Sequence, residues 1–121
     1  MRYISMIRVN EHAGLVPGEQ LIADMGRLVG ELTRAGKLID TAGLCPTSQG
    51  KRVRLTHGRL RVTDGPFTEA KEVIGGYAIL EAESIDEAVD LTKRFLEVHG
   101  DEWEIECEVR RLDGPDFGAN A

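Results

Sequence analysis

The hydrophobic period of this chain changes in the same order twice, and that alternation constrains the fold more than any other feature. Residues 2–9 are apolar on both parities, through Tyr3, Ile4, Met6, Ile7 and Val9. That is the pattern of a central strand covered on both faces. After a loop ending in Pro17-Gly18, Leu21, Ile22, Met25, Leu28, Val29 and Leu32 recur at helical spacing. Gly36 supplies a C-cap, and Leu38 to Leu44 reads as a second strand ended by Cys45-Pro46. The second pass starts with a strand over residues 73–82 that contains Gly75 and Gly76. Ser84-Ile85-Asp86-Glu87 is a capping box, with Ser84 as N-cap and Glu87 placed to reach back. Ile85, Ala88, Val89, Thr92, Phe95 and Leu96 form the apolar face of the helix it opens, which runs to His99 and Gly100. Trp103, Ile105, Cys107 and Val109 then alternate with Glu102, Glu104, Glu106 and Glu108, a strand with one apolar and one acidic face.

Between the two passes lies a hairpin, Lys51 to Thr56 and Arg59 to Thr63, joined at His57-Gly58. A two-residue loop sets Leu55 opposite Leu60 and Val53 opposite Val62. It also sets Arg54 against Arg61, with Arg52 and Arg59 beside them, and like charges so opposed are destabilising. Either the register differs or something anionic covers that face. The order β-α-β, hairpin, β-α-β predicts an α+β fold of ferredoxin-like type, with both helices on one face of an antiparallel sheet. The other sheet face must be covered or remain an apolar patch. Sheet-on-sheet packing of two copies, a homodimeric α/β barrel, is the economical cover. The domain is expected over residues 1–112, with 113–121 a flexible tail. Gly26 and Gly30 lie four apart on the first helix, each costing about 1 kcal/mol relative to Ala. A close helix–sheet approach is the expected compensation.

At 121 residues the chain has room for one domain with a core. A net charge of −6 and an aromatic content of 5% argue against nucleic-acid binding, which needs a basic surface or stacked rings. The N-terminal apolar stretch is interrupted by Arg8, and no apolar run approaches the roughly 18 residues of a membrane span. The expectation is a cytoplasmic protein with no membrane association. Cys45 and Cys107 make no disulfide framework. His12, His57 and His99 lie in a loop, a turn and a helix end, with no metal-ligand spacing. No phosphate-cradling glycine motif is present. Neither metal nor cofactor is expected.

Candidate chemistry concentrates in Val62 to Glu72 and the following Gly75-Gly76-Tyr77. Asp64 has two readings: it caps the Gly65-Pro66 turn through a backbone N–H, or it faces a cleft as ligand or general base. Phe67 is core or ligand contact. Glu69, Lys71 and Glu72 are a solvated ion-pair set, or they place Lys71 against an anionic ligand. Gly75-Gly76 marks a bulge or close backbone approach, and Tyr77 is then a polar-tipped residue for a cavity wall. Asp40 interrupts the apolar strand Leu38-Ile39-Asp40-Thr41-Ala42. It faces solvent, or it lines the cleft, where desolvation would raise its pKa. The candidate catalytic residues are therefore Asp64 and Asp40, and the candidate ligand contacts are Phe67, Glu69, Lys71 and Tyr77.

The run Asp64-Gly65-Pro66-Phe67-Thr68-Glu69-Ala70-Lys71-Glu72-Val73-Ile74-Gly75-Gly76-Tyr77 resembles the signature of the DGPF branch of the YCII-related family. Arg59 to Thr63 before it, Ile79-Leu80 after it, Ala35-Gly36-Lys37-Leu38, Gly43-Leu44 and Asp86-Glu87-Ala88 fit the same resemblance. It implies a dimeric α+β barrel, and for some DGPF members an association with alternative sigma factors. Some YCII-like proteins are described with a His–Asp pair in a catalytic role, the His on the first helix. Measured back from Ala35-Gly36, that turn holds Met25 here, and no His occurs between Glu19 and Gly36. The His–Asp mechanism does not carry over. The expected function is a small-molecule-binding homodimer with a central cleft for a small anionic or organic-acid ligand, of regulatory type. Two alternatives remain: a cleft enzyme doing proton-transfer chemistry on a small organic acid, and a ligand-free partner protein.

Overall fold

Both β-α-β passes are present in the computed structural model, which describes residues 1–114. The elements are β1 (Arg2–Val9), α1 (Glu19–Arg34), β2 (Leu38–Gly43), β3 (Lys51–Thr56), β4 (Arg59–Asp64), β5 (Val73–Glu81), α2 (Ile85–Glu97) and β6 (Glu106–Arg111). Residues 115–121, most of the expected tail, lie outside the described residues.

Four strands form one sheet in the order β2-β5-β1-β6, each neighbour antiparallel. This is ferredoxin-like topology, with β1 and β5 central. Tyr3 and Ser5 of β1, Ala78 and Leu80 of β5 and Leu38 of β2 point to the helical side, where Leu28 and Leu32 of α1 and Ala88 and Leu91 of α2 close the core. Leu80 is the centre of that core, with no exposed surface. The helices cover only one face. On the other, Ile4, Met6 and Arg8 of β1 are half-buried, not covered as their apolar run predicts.

The helix ends follow local chemistry. Gly36 has φ 73°, a left-handed conformation that L side chains resist. It lets the Lys37 N–H donate to Leu32 O at 2.9 Å, which closes α1. Ser84 caps α2 by accepting from the Glu87 N–H at 3.1 Å. The Glu87 carboxylate, however, accepts from Lys37 Nζ at 2.7 Å, so it ties α2 to the end of α1 where the capping box predicts a bond back to the N-cap. Gly26 and Gly30 make no close approach to the sheet. A Cβ built on Gly26 meets nothing within 4 Å, and one on Gly30 meets only the end of Arg34.

The last strand begins later than the alternation predicts. Arg8 of β1 is the last residue paired with β6, opposite Glu106. Glu104 would fall opposite Asn10, which already caps the short turn over Glu11–Ala13. The ladder has no partner there, and Trp103 instead donates its N–H to Gly100 O and packs edge-on against the His99 ring.

β3 and β4 stand apart as a two-stranded sheet. Their register sets Val53 opposite Val62, Leu55 opposite Leu60 and Arg54 opposite Arg61. His57 (φ 51°) and Gly58 (φ 77°) both adopt positive φ, the mirror-image turn whose twist suits a two-residue hairpin. The apolar face of this arm is bare, with Leu55 68% and Leu60 74% exposed.

Candidate functional site

Three loops meet where the arm joins the sandwich. Thr47 donates its hydroxyl and its backbone N–H to the Glu11 carboxylate, both at 2.7 Å. The same hydroxyl oxygen accepts from the Phe67 N–H at 3.2 Å. Gly65 donates to Gly50 O at 2.9 Å, and Gly50 donates to Thr47 O at 2.9 Å. A Cβ on Gly65 would lie 1.7 Å from Thr47 O, so only glycine fits. The Gly65–Pro66 bond is cis. The segment after β1, the segment after β2 and the turn after β4 are thereby bonded into one wall. The Glu11 carboxyl lies below its ordinary pKa, chiefly because it accepts from the Thr47 hydroxyl and then from the Thr47 N–H.

That wall and the open sheet face enclose a groove of about 760 Å³. Met6, Arg8, Ile74 and Glu108 line its sheet side, and Leu44, Cys45, Thr47, Arg52 and Phe67 its loop side. Arg52 leaves the arm's basic face to stack on Phe67, its guanidinium carbon 3.8 Å from the ring centre, and it pairs with Glu69. Glu69 accepts from its own backbone N–H and from Arg52, which together lower its pKa. Arg8 is 3.5 Å from Glu106 on the neighbouring strand.

The sequence candidates separate into distinct places. Phe67 lines the groove, and Glu69 reaches it through Arg52. Asp64 is paired with Lys51 at the root of the arm and is exposed. Lys71 lines a neighbouring hollow with Glu11, Glu72 and Trp103. Tyr77 shares the open face with Met6, its partner across β1. Its hydroxyl donates to the exposed Asp40 at 2.8 Å, while Asp40 also accepts from the Thr41 N–H at 2.9 Å. The bond to Asp40, followed by desolvation and the carboxylate's charge, raises the Tyr77 phenol above its ordinary pKa. The two aspartates thus belong to different sheets and answer to different partners. Arg8, Cys45 and Glu108 are groove residues that the sequence reading did not single out. Arg8 carried a signal, as a lone charge within an apolar strand.

Fold and groove together define a ferredoxin-like α+β sandwich with a helix-covered face and a chemically mixed open face. The chain belongs to the YCII-related family: residues 1–106 match the model of the YCII-related domain. A protein of Rhizobium meliloti (strain 1021), described as uncharacterized, is 35% identical over 75 residues, which cover 62% of this chain. The match spans 60% of the length of that relative. No helix among the described residues is long and apolar enough to cross a membrane.

Proposed function

We propose that this chain belongs to the DGPF branch and works as a homodimer that binds a small organic acid on its open sheet face. One observation carries the ligand reading: the groove joins an apolar floor of Met6, Leu44 and Phe67 to the guanidinium groups of Arg8 and Arg52. A groove of this volume falls in the usual range for small-molecule sites, which are mostly apolar with a few placed polar groups. Arg52 already pairs with a carboxylate, Glu69, and a ligand carboxylate would exchange for it, with the guanidinium's paired donors available to hold both oxygens. The sheet face beside the groove supports the dimer reading, because a second copy stacked there would cover Ile4, Met6 and Ile79.

Calorimetric titration with small mono- and dicarboxylates tests the ligand. Binding in the millimolar range or tighter is expected, weakened at least tenfold in Arg52→Gln. Saturation at 100 times Kd should add about 2.7 kcal/mol to the unfolding free energy. No carboxylate binding, or binding indifferent to Arg52→Gln, overturns the site.

The Asp40–Tyr77 hydrogen bond favours a second reading, a cleft enzyme for proton transfer on the same face. A phenol held protonated beside a carboxylate is a donor and acceptor pair that such chemistry uses. Turnover of a bound acid that disappears in Asp40→Asn and Tyr77→Phe, with binding retained, would establish it. Turnover that survives both changes sinks it.

A further inference from the structure

A further cavity lies on the opposite side of the sheet, between the helices and the strands. Its volume is about 380 Å³. It exists because the strand positions beneath it are Gly43, Gly76 and Ala78, too small to fill the space between the helices. Ile7, Met25, Val29 and Phe95 make its walls apolar, and no Lys, Arg, Asp or Glu lines it.

Of its polar lining residues, Ser5 is paired with Thr92, Thr41 donates to Tyr77 O and Tyr77 donates to Asp40, which leaves His99 and Cys107. His99 places Nδ1 3.0 Å from Phe95 O. A carbonyl oxygen only accepts, so Nδ1 carries the hydrogen, and in that tautomer Nε2 is left as an acceptor. Among the described residues Nε2 has no hydrogen-bond partner. Trp103 holds the ring from behind, edge-on at a centroid distance of 5.3 Å. Cys107 also lines the cavity, its thiol pKa raised by burial, so it stays an uncharged wall.

We propose that this cavity binds a small uncharged aromatic molecule carrying one O–H donor, a phenol, with the hydroxyl donating to His99 Nε2 and the ring packed among Ile7, Met25, Val29 and Phe95. Size, polarity and donor match agree. A dry apolar cavity of roughly 150 Å³ admits benzene, and this one has room for a substituted ring. No lysine or arginine lines the cavity, which disfavours carboxylates and phosphates, whose burial without a counter-charge is costly. The open-face groove has the opposite preference, so the two sites take different chemistry and stand or fall separately.

The probes are p-cresol, toluene and 4-methylbenzoate, which share a ring and differ at one group. Titration is followed by the fluorescence of Trp103, the one tryptophan of the sequence, and by amide NMR shifts. p-Cresol should bind one-to-one and shift residues around Met25, Val29, His99 and Cys107. Toluene should bind about tenfold more weakly, the usual worth of one hydrogen bond. 4-Methylbenzoate should leave these residues unmoved. His99→Phe keeps a ring of similar bulk and should erase the preference for p-cresol over toluene. His99→Gln retains an acceptor oxygen and should restore part of it, and its amide spectrum also reports whether the fold is intact. No p-cresol binding at millimolar concentration, shifts confined to the open face, or an unchanged preference in His99→Phe would each overturn the proposal.

Discussion

The Thr47 hydroxyl has one hydrogen and spends it on Glu11, which leaves its oxygen to receive the Phe67 N–H. A single side chain therefore orients the DGPF turn through a carboxylate that comes from a different loop. Glu11 has a folded pKa below its ordinary value of 4.5. Its contribution is thus fully present above about pH 4.5 and is lost as pH falls through the lower folded value. Glu11→Gln mimics the protonated acid. Urea unfolding should show wild type more stable than Glu11→Gln at pH 6, with the gap closing as pH falls from 4.5 through the lower folded value. A gap that persists unchanged at low pH would deny Glu11 this role. The same linkage explains what could not be read from sequence. Asp64-Gly65-Pro66-Phe67 was legible as a turn, but its anchors Glu11 and Thr47 are remote in the chain and polar, with no periodicity to mark them. Asp40 and Tyr77 were legible as singular residues, a carboxylate and a phenol within apolar strands. Their mutual hydrogen bond depends on strand register, which no local pattern encodes.

Elements were more legible than contacts, because periodicity and caps act locally. α1 and α2 fall where apolar spacing, Gly36 and Ser84 place them. β6 misled because alternation describes which way side chains point, whereas a strand also needs a partner. Glu102, Trp103 and Glu104 keep the alternation past the point where β1 has turned away. The glycines of α1 misled in another way. Their cost is not offset by close packing, since Gly26 is exposed and meets nothing. Gly26→Ala should accordingly raise the unfolding free energy by about 1 kcal/mol, measured by urea denaturation. A loss of stability would mean that this helix face is covered in solution. In the core, Leu80→Ala should cost about 2–5 kcal/mol, as a fully enclosed side chain beneath both helices.

For the whole molecule, the unresolved tension is the arm. Arg54 does oppose Arg61, so the register expected from the turn is the one adopted, repulsion included. Arg52 is drawn off to Glu69, but among the described residues Arg54, Arg59 and Arg61 have no carboxylate partner. Glu106 and Glu108 on β6 offer complementary charge on the open face. If the arm of one copy reaches the β6 of another, Arg54→Glu with Arg61→Glu should raise the dimer dissociation constant at least tenfold in low salt. Sedimentation of that double variant indistinguishable from wild type would rule the contact out. The sequence made this surface conspicuous by its charges and could not say where it points, because long-range placement of an arm follows from its root.

The hydrogen bond from Gly65 to Gly50 defines that root, since it joins the point where the chain leaves the sandwich to the point where it returns. Everything from Lys51 to Asp64 hangs from one closed gate, and the four-stranded sheet is wired without it. The outer part of the arm is therefore a replaceable cassette. Beyond Arg52, which lines the open-face groove, its length and its tip at His57-Gly58 can be rewritten, by a peptide tag or by descent, while the sandwich keeps its shape.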